Sequence, residues 1–375
     1  MTHPASPCAV GLFSGGLDSI LAMRLVAEQG IAVTGLHFVS PFFGKPAAIR
    51  YWKKTYGFSL KTVDVSEDFA ALLSRGPVHG FGSVLNPCVD CKILMLRKAK
   101  AIMEESGASF ILSGEVLGQR PMSQRRDTLN VIRRDADVKD CLLRPLSALH
   151  FEPIAAERTG LVDRTRLLNL AGRGRKEQLE LAARMGISEI PTPGGGCLLT
   201  EKENGRRYWP LLKYLSGPAT PASGKSGPTA ADFRLANVGR QYWLSHEQGA
   251  CWLSIGRNQQ DNDSLQQLAQ ESDYVFKTRD YPGPVAVGRI VAGEWQDAFV
   301  ASAAAFVASY SPKAREHAAA SDAKVAVRVH RGSLDAPGAS AEVTPSRESA
   351  PAWREYAWDD ARRELKERLA GAAIT

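Results

Sequence analysis

Six residues near the N-terminus, Ser14-Gly15-Gly16-Leu17-Asp18-Ser19, combine groups that handle phosphate. They follow the apolar run from Cys8 to Phe13 and lead into a helical stretch from Asp18 to Gly30. In a strand-turn-helix setting, glycines admit close backbone approach, the helix start offers unpaired N–H groups and a positive dipole end, and serine hydroxyls add donors. A carboxylate aimed at such a nest would repel phosphate unless a divalent cation stood between them, so Asp18 reads as a Mg²⁺ ligand, directly or through water. A turn in which serine or aspartate merely caps the helix would have the same composition. The loop lacks a Walker-type lysine, and Gly224-Lys225-Ser226 is no substitute: the residue five before Gly224 is Ala219 and no strand precedes it.

A second chemical group is sulfur. Asn86-Pro87-Cys88-Val89-Asp90-Cys91 holds two thiols three apart, which can share a metal or exchange a disulfide. Cys197 follows a Thr-Pro-Gly-Gly-Gly run that leaves a thiol accessible on a loop. Buried structural cysteines or a zinc site are the plain alternatives. Apart from His79 no histidine lies near either segment, so a three-thiolate site with an open position fits better. Basic residues gather at Arg120, Arg125, Arg126, Arg133 and Arg134, and again at Arg173, Arg175 and Lys176. Asp135 and Asp137 make the Arg133-Arg134 pair read equally as a solvated helix face, which leaves Arg120, Arg125 and Arg126 as the candidates for RNA phosphates.

These groups need elements to position them. Residues 31–39 and 60–65 are β-rich runs separated by a helical stretch near 47–56, with further strands expected at 108–112 and 141–146 and helices near 92–106 and 176–186. Such alternation predicts an α/β domain with a doubly wound parallel sheet, ligand at the C-terminal strand ends, over residues 1–215. Residues 216–231, small and proline-rich, read as a linker. A second, smaller α+β domain is expected over 232–331, then a low-complexity, disordered stretch over 332–350 and a helical tail from Trp353 to about Leu369 within 332–375. The composition, 44% hydrophobic and 23% charged, is that of a globular chain, and a net charge of +7 favours a polyanionic partner such as nucleic acid. No apolar run reaches membrane-spanning length and no signal-peptide core opens the chain, so a cytoplasmic protein without a membrane partner is expected.

The hexapeptide after an N-terminal strand resembles the pyrophosphate loop of N-type ATP pyrophosphatases (PP-loop enzymes), which cleave ATP to AMP and pyrophosphate. The Asn-Pro-Cys-x-x-Cys stretch resembles that of bacterial tRNA 2-thiouridylases. Leu112-Ser-Gly114-Glu115 through Gly118-Gln119, with Leu143-Arg144-Pro145-Leu146, resembles the tRNA 4-thiouridine synthases, whose Gly-x-x-x-Gly-Gln segment lies by nucleotide and target uridine. The resemblance implies an adenine nucleotide alpha hydrolase-like fold and ATP on Ser14, Gly15, Gly16, Asp18, Ser19, Gly114 and Gln119. It implies a tRNA sulfurtransferase that adenylates a uridine carbonyl oxygen, O4 or O2, and replaces it with sulfur from a sulfide or persulfide donor, giving 4-thiouridine from O4. Cys88, Cys91 and Cys197 would then hold a 4Fe–4S cluster, or Cys197 would carry a persulfide resolved by Cys88. The tRNA-binding region that precedes the loop in a standard 4-thiouridine synthase, and a rhodanese domain, have no counterpart in this sequence. Residues 232–331, with Trp252, Gly256-Arg257-Asn258, Asn262 and Pro282-Gly283-Pro284, resemble the RNA-binding domain of NFACT proteins, which makes Arg257 a further candidate RNA contact. The rival readings are the same ATP chemistry on a non-tRNA acceptor and an inactive RNA-binding adaptor.

Overall fold

The computed structural model describes residues 7–191, 196–216, 227–247, 249–292, 294–348 and 353–372, which divide into two units. In the first (Met1–Phe69 with Gly76–Thr200), five strands form one parallel sheet in the order β3-β2-β1-β4-β5: β1 (Cys8–Leu12), β2 (Ala32–Val39), β3 (Ser59–Asp64), β4 (Phe110–Ser113) and β5 (Leu142–Leu143). The connections carry helices α1 (Leu17–Ala27), α2 (Ile49–Tyr56), α3 (Ser66–Arg75, whose residues from Ala70 onward count with the second unit), α4 (Cys88–Ser106) and α5 (Arg126–Asp135), with α6 (Ala155–Arg158) and α7 (Lys176–Arg184) after the last strand. The pleat sends Ala9 to one face with Leu17, Ile20 and Leu21 of α1, and Val10 and Leu12 to the other with Ile93 and Leu96 of α4. The chain leaves β1 toward β2 and β3, then returns to β4 on β1's other side. Loops after β1 and β4 therefore diverge, opening a crevice at their C-terminal ends, where open α/β sheets take ligands.

The expected strand at 141–146 shrinks to Leu142–Leu143, because the Arg144 side chain turns inward and Pro145 has no N–H for a ladder. The expected helix at 92–106 begins earlier, at Cys88, so both members of the cysteine pair stand in its first turn.

The second unit (Ala70–Arg75 with Glu201–Thr375) carries helices α8 (Lys202–Leu215), α9 (Ala230–Ala236), α10 (Gln259–Leu268), α11 (Asp297–Ala308), α12 (Pro312–Ser321) and α13 (Trp358–Ala372). Its sheet is antiparallel, ordered β11-β10-β8-β9-β7-β6, from β6 (Arg240–His246), β7 (Gly249–Ile255), β8 (Tyr274–Thr278), β9 (Val285–Ala292), β10 (Val325–Arg331) and β11 (Gly338–Val343). Alanine-rich α11 covers one face together with Trp295 and Trp353. Arg289 is buried with Asp273 at 2.7 Å and Asp232 at 3.0 Å, its charge met on two sides.

Four expected boundaries move. The first unit ends at Thr200 and not at 215, because α8 packs within the second: Trp209 Nε1 donates to Glu364 of α13 at 2.7 Å, and the Tyr208 ring meets Phe233 of α9. Helix α9 starts inside the expected linker, where Thr229 and Asp232 form a capping box; residues 217–226 lie outside the described residues. The stretch 332–350, expected to be disordered, contains β11, paired with β10 from Val325↔Val343 to His330↔Gly338. Small side chains suffice for an edge strand whose partner supplies the apolar bulk. The tail helix begins at Trp358 and not at Trp353, whose ring is buried against Trp295 and whose indole N–H donates to Ser302 at 3.1 Å. No described helix is long and apolar enough to cross a membrane.

Candidate active site

The loop between β1 and α1 is held by its own hydroxyls. The Gly16 N–H donates to Ser14 Oγ at 3.3 Å, Ser19 Oγ donates to the Gly16 carbonyl at 2.7 Å, and the two serine hydroxyls lie 3.3 Å apart. Gly15 adopts φ +79°, and a Cβ there would meet the Trp52 ring at 2.3 Å, so both conformation and space demand glycine. Ser14 remains exposed at the mouth.

The loop after β4 presses on this turn from the other side of the crevice. A Cβ at Gly114 would lie 2.6 Å from the Asp18 carbonyl and the Ser19 nitrogen, which is why a backbone without a side chain passes there. Gln119 donates a side-chain hydrogen bond to Asp18. Burial pushes the Asp18 carboxyl up, against the pull of Gln119 and of the Arg175 and Arg120 charges, and its Oδ1 is buried with no hydrogen-bond partner. An orphaned carboxylate oxygen beside a phosphate-type nest is a donor suited to Mg²⁺, which characteristically takes one or two carboxylates and completes its shell with water and phosphate.

Arg175 reaches this place through backbone pairing. Leu117 bridges Ala171 in parallel, the Gly172 N–H donates to the Leu117 carbonyl at 2.7 Å, and Ser147 Oγ accepts from the Leu117 N–H at 3.1 Å while donating to Leu170 at 2.6 Å. Beneath lies a buried pair. Arg144 Nε donates to Glu115 at 2.9 Å, Ser113 Oγ donates at 3.1 Å, and Lys92 stands 3.7 Å from the other oxygen. Burial alone would push the Glu115 carboxyl up, but Lys92 and Arg144 hold it below the ordinary value.

The thiols are assembled from three segments. Asn86, buried, donates to Cys88 Sγ at 3.2 Å and toward Met122 Sδ at 3.5 Å, so the loop carrying Gln119 also touches the residue that holds Cys88. Asp90 accepts the Val78 and His79 N–H groups at 2.9 and 3.0 Å and thereby fixes the preceding loop; His79 itself faces Asp135. Cys197 is drawn alongside because the Leu85 N–H donates to Leu199 at 3.1 Å and the Leu198 N–H to Phe42 at 2.9 Å. Cys91 senses both other thiols: burial first, then Cys197 and, more weakly, Cys88 push its pKa well above the ordinary value. Among the described residues, however, no three His, Cys, Asp or Glu side chains are gathered to hold a metal ion.

Of the arginines expected to meet RNA, Arg120 stands near Asp18, while Arg125 pairs with Asp127 and Arg126 donates to the His150 carbonyl at 2.8 Å. Arg257 belongs to the second unit and is paired with Asp261 at 2.7 Å.

A cavity of about 840 Å³ opens beside Ser14 and Gly15, walled by Tyr51, Trp52, Tyr56 and Phe43. Its position depends on His37, which sequence reasoning did not single out although a histidine between Leu36 and Phe38 in an apolar strand is a visible signal. His37 Nε2 accepts the Lys45 N–H at 2.9 Å, so Nδ1 carries the proton and donates to Phe13 at 3.0 Å. Burial lowers its pKa. As pH falls below about 6.5 the unfolded chain takes up a proton that the folded ring resists, so the stability this network contributes is present above that range and lost below it. His37→Phe is expected to be less stable at neutral pH, with a flatter dependence of Tm on pH between about 5 and 7.

Residues 5–161 match the family model described as thiamine biosynthesis protein ThiI, and residues 246–348 match that of the NFACT protein RNA-binding domain. The chain thus carries a segment similar to ThiI followed by one similar to the NFACT RNA-binding domain. Among relatives of the ThiI-type part, a probable tRNA sulfurtransferase of Thermococcus kodakarensis is 29% identical over 150 residues, covering 39% of this chain and 38% of that one. A tRNA sulfurtransferase of a Shewanella species (strain ANA-3) is 34% identical over 160 residues, covering 40% and 30%. The chain thus spans less than two fifths of the length of either relative. The U34-tRNA thiolase NcsA of Methanococcus maripaludis, solved with its 4Fe–4S cluster, aligns at 17% identity over 61% of this chain and 80% of that one, with a TM-score of 0.29. The ThiI-type match contains the hexapeptide, Cys88, Cys91, Gln119 and Arg144 but stops before Arg175 and Cys197. The NFACT-type match runs past the expected end at 331 and takes in β11.

Proposed function

We propose that the protein is an ATP-dependent tRNA thiolase that acts on a uridine carbonyl, O4 in our reading. The observation that carries this is the continuity of the Gly114–Gln124 loop, which touches Asp18 through Gln119 at one end and the Asn86 that holds Cys88 through Met122 toward the other. ATP phosphates lie on Ser14, Gly15, Gly16 and Ser19, with Arg175 and Arg120 supplying charge. A Mg²⁺ held at Asp18 would neutralise the phosphates. The uridine oxygen attacks the α-phosphate and pyrophosphate leaves. The adenylated oxygen can then depart as AMP, which a uracil carbonyl oxygen cannot do unaided. Positioning and charge neutralisation supply most of the catalysis of this first step.

Sulfur comes next. We route it through Cys197 as a persulfide, formed when the Cys197 thiolate takes the outer sulfur of a persulfide donor and that donor leaves as its thiol. Its terminal sulfur displaces AMP, and the Cys88 thiol attacks Cys197 Sγ to free the thiolated uridine. The resulting Cys88–Cys197 disulfide needs a thiol reductant to reopen. Cys197→Ala and Cys88→Ala are expected to lower thiolation at least 100-fold while tRNA-dependent release of AMP and pyrophosphate from ATP persists. A persulfide should appear on Cys197 as one added sulfur by mass spectrometry. Stoichiometric iron in anaerobically purified protein, lost in Cys91→Ala, would assign the thiols to a cluster instead. Loss of AMP release in the cysteine variants would contradict the separation into two steps.

A further inference from the structure

The second unit holds a cavity of about 630 Å³ that no step above uses, lined by Arg240, Tyr242, Arg257, Asn262, Tyr310 and Arg347 among others. We infer that it is a binding pocket for one phosphate-bearing nucleotide of single-stranded RNA, an assignment resting on the reading of the substrate as RNA. The pocket is built and not merely a gap between loops. A Cβ at Gly256 would meet Asn262 Oδ1 at 2.1 Å, and one at Gly283 would meet Thr278 Oγ1 at 2.6 Å, so bare backbone forms part of the wall. Asn262 is in turn fixed by accepting the Val285 N–H at 3.0 Å.

Charge and shape then select the ligand. The Arg240 and Arg347 guanidinium groups lie over the same Tyr310 ring, 5.4 and 4.3 Å from its centre. Two like charges are thus held about one aromatic ring, and neither forms an ion pair with a described carboxylate. The lining carboxylate, Glu355, is engaged by Arg206 at 3.0 Å, and Arg257 is already paired with Asp261. Two unpaired arginines lining the cavity favour an anion in it, and planar guanidinium groups beside tyrosines are stacking surfaces for an unpaired base. A concavity of this volume takes one splayed nucleotide, whereas a duplex presents its bases stacked inward and only its backbone outward. Arg240 and Tyr242 line the pocket and lie just before the segment that matches the NFACT-type model.

The test uses the full chain and a fluorescent single-stranded oligouridylate followed by anisotropy, with a blunt RNA duplex and inorganic phosphate as competitors. Arg347→Ala, an exposed change that leaves the core intact, and Arg240→Ala are each expected to weaken oligouridylate binding about tenfold. Each should also flatten the dependence of log Kd on log salt by about 0.7, the share of one phosphate that the protein no longer neutralises. Arg328→Ala, on an exposed position of β10, is expected to change binding less than about twofold. Wild-type affinity in both pocket variants, or displacement by duplex as effective as by single strand, would overturn the assignment. Absence of thiolated uridine with oligouridylate binding still weakened by Arg347→Ala would sink the thiolase reading and leave the pocket standing; the reverse pattern would do the opposite.

Discussion

Arg144→Ala is expected to destabilise the protein by about 3 kcal/mol in urea denaturation, one of the largest single-residue effects in the first unit. Both partners of the Arg144–Glu115 pair are only 3% exposed. Truncating the arginine removes the 2.9 Å hydrogen bond and leaves a buried carboxylate, whose other oxygen already lacks a hydrogen-bond partner. Lys92, 3.7 Å away, offsets part of the loss, which places the effect at the lower end of the range for a broken buried pair. Arg144→Met combined with Glu115→Leu should recover much of the stability, because the uncompensated charge is then gone. A single variant within about 0.5 kcal/mol of wild type would contradict an ionised Glu115.

Asp18→Asn separates stability from function. The carboxylate is largely buried, its Oδ1 has no partner, and desolvation works against its charge. Replacing it with a neutral amide is expected to leave the ligand-free protein as stable as wild type or more so. In the proposed mechanism the same change removes the oxygen that would hold the phosphates' counter-ion, and it is expected to lower ATP turnover to AMP by about 10² to 10³-fold. The stabilisation that Mg²⁺ and ATP together confer on thermal melting should shrink with it. A lower Tm for ligand-free Asp18→Asn, with the ATP-induced shift retained, would show that Asp18 is a structural cap.

The parallel sheet and the loop were legible because their signals are local. Apolar runs separated by helical stretches, and glycines between a strand and a helix, follow from backbone chemistry over a few residues. Gly114 and Gln119 were placed at the loop by their resemblance, and the structure supplies the reason: only bare backbone fits against Asp18. Arg175 was visible as a basic residue, but the Leu117–Ala171 bridge that delivers it joins segments more than fifty positions apart and leaves no mark in either. His37 was visible as a polar residue in an apolar strand, but its role was not. Its two partners are backbone groups, and backbone groups carry no sequence signature. The boundary near 200 was missed because α8 ends just before a proline-rich stretch, which reads as a domain edge, although its buried Tyr208 and Trp209 pack on elements far downstream. Composition also misjudged β11, since small residues at a sheet edge look like linker.

The central claim is that this chain uses ATP to put sulfur on a uridine of tRNA. Incubating the purified protein with unmodified tRNA transcripts, ATP, Mg²⁺, a low-molecular-weight persulfide as sulfur donor and a thiol reductant, then digesting the RNA for nucleoside mass spectrometry, tests it directly. The account predicts 4-thiouridine that appears only with ATP, in step with AMP, and disappears in Cys197→Ala. AMP formation with no thiolated nucleoside in the wild-type reaction would contradict it.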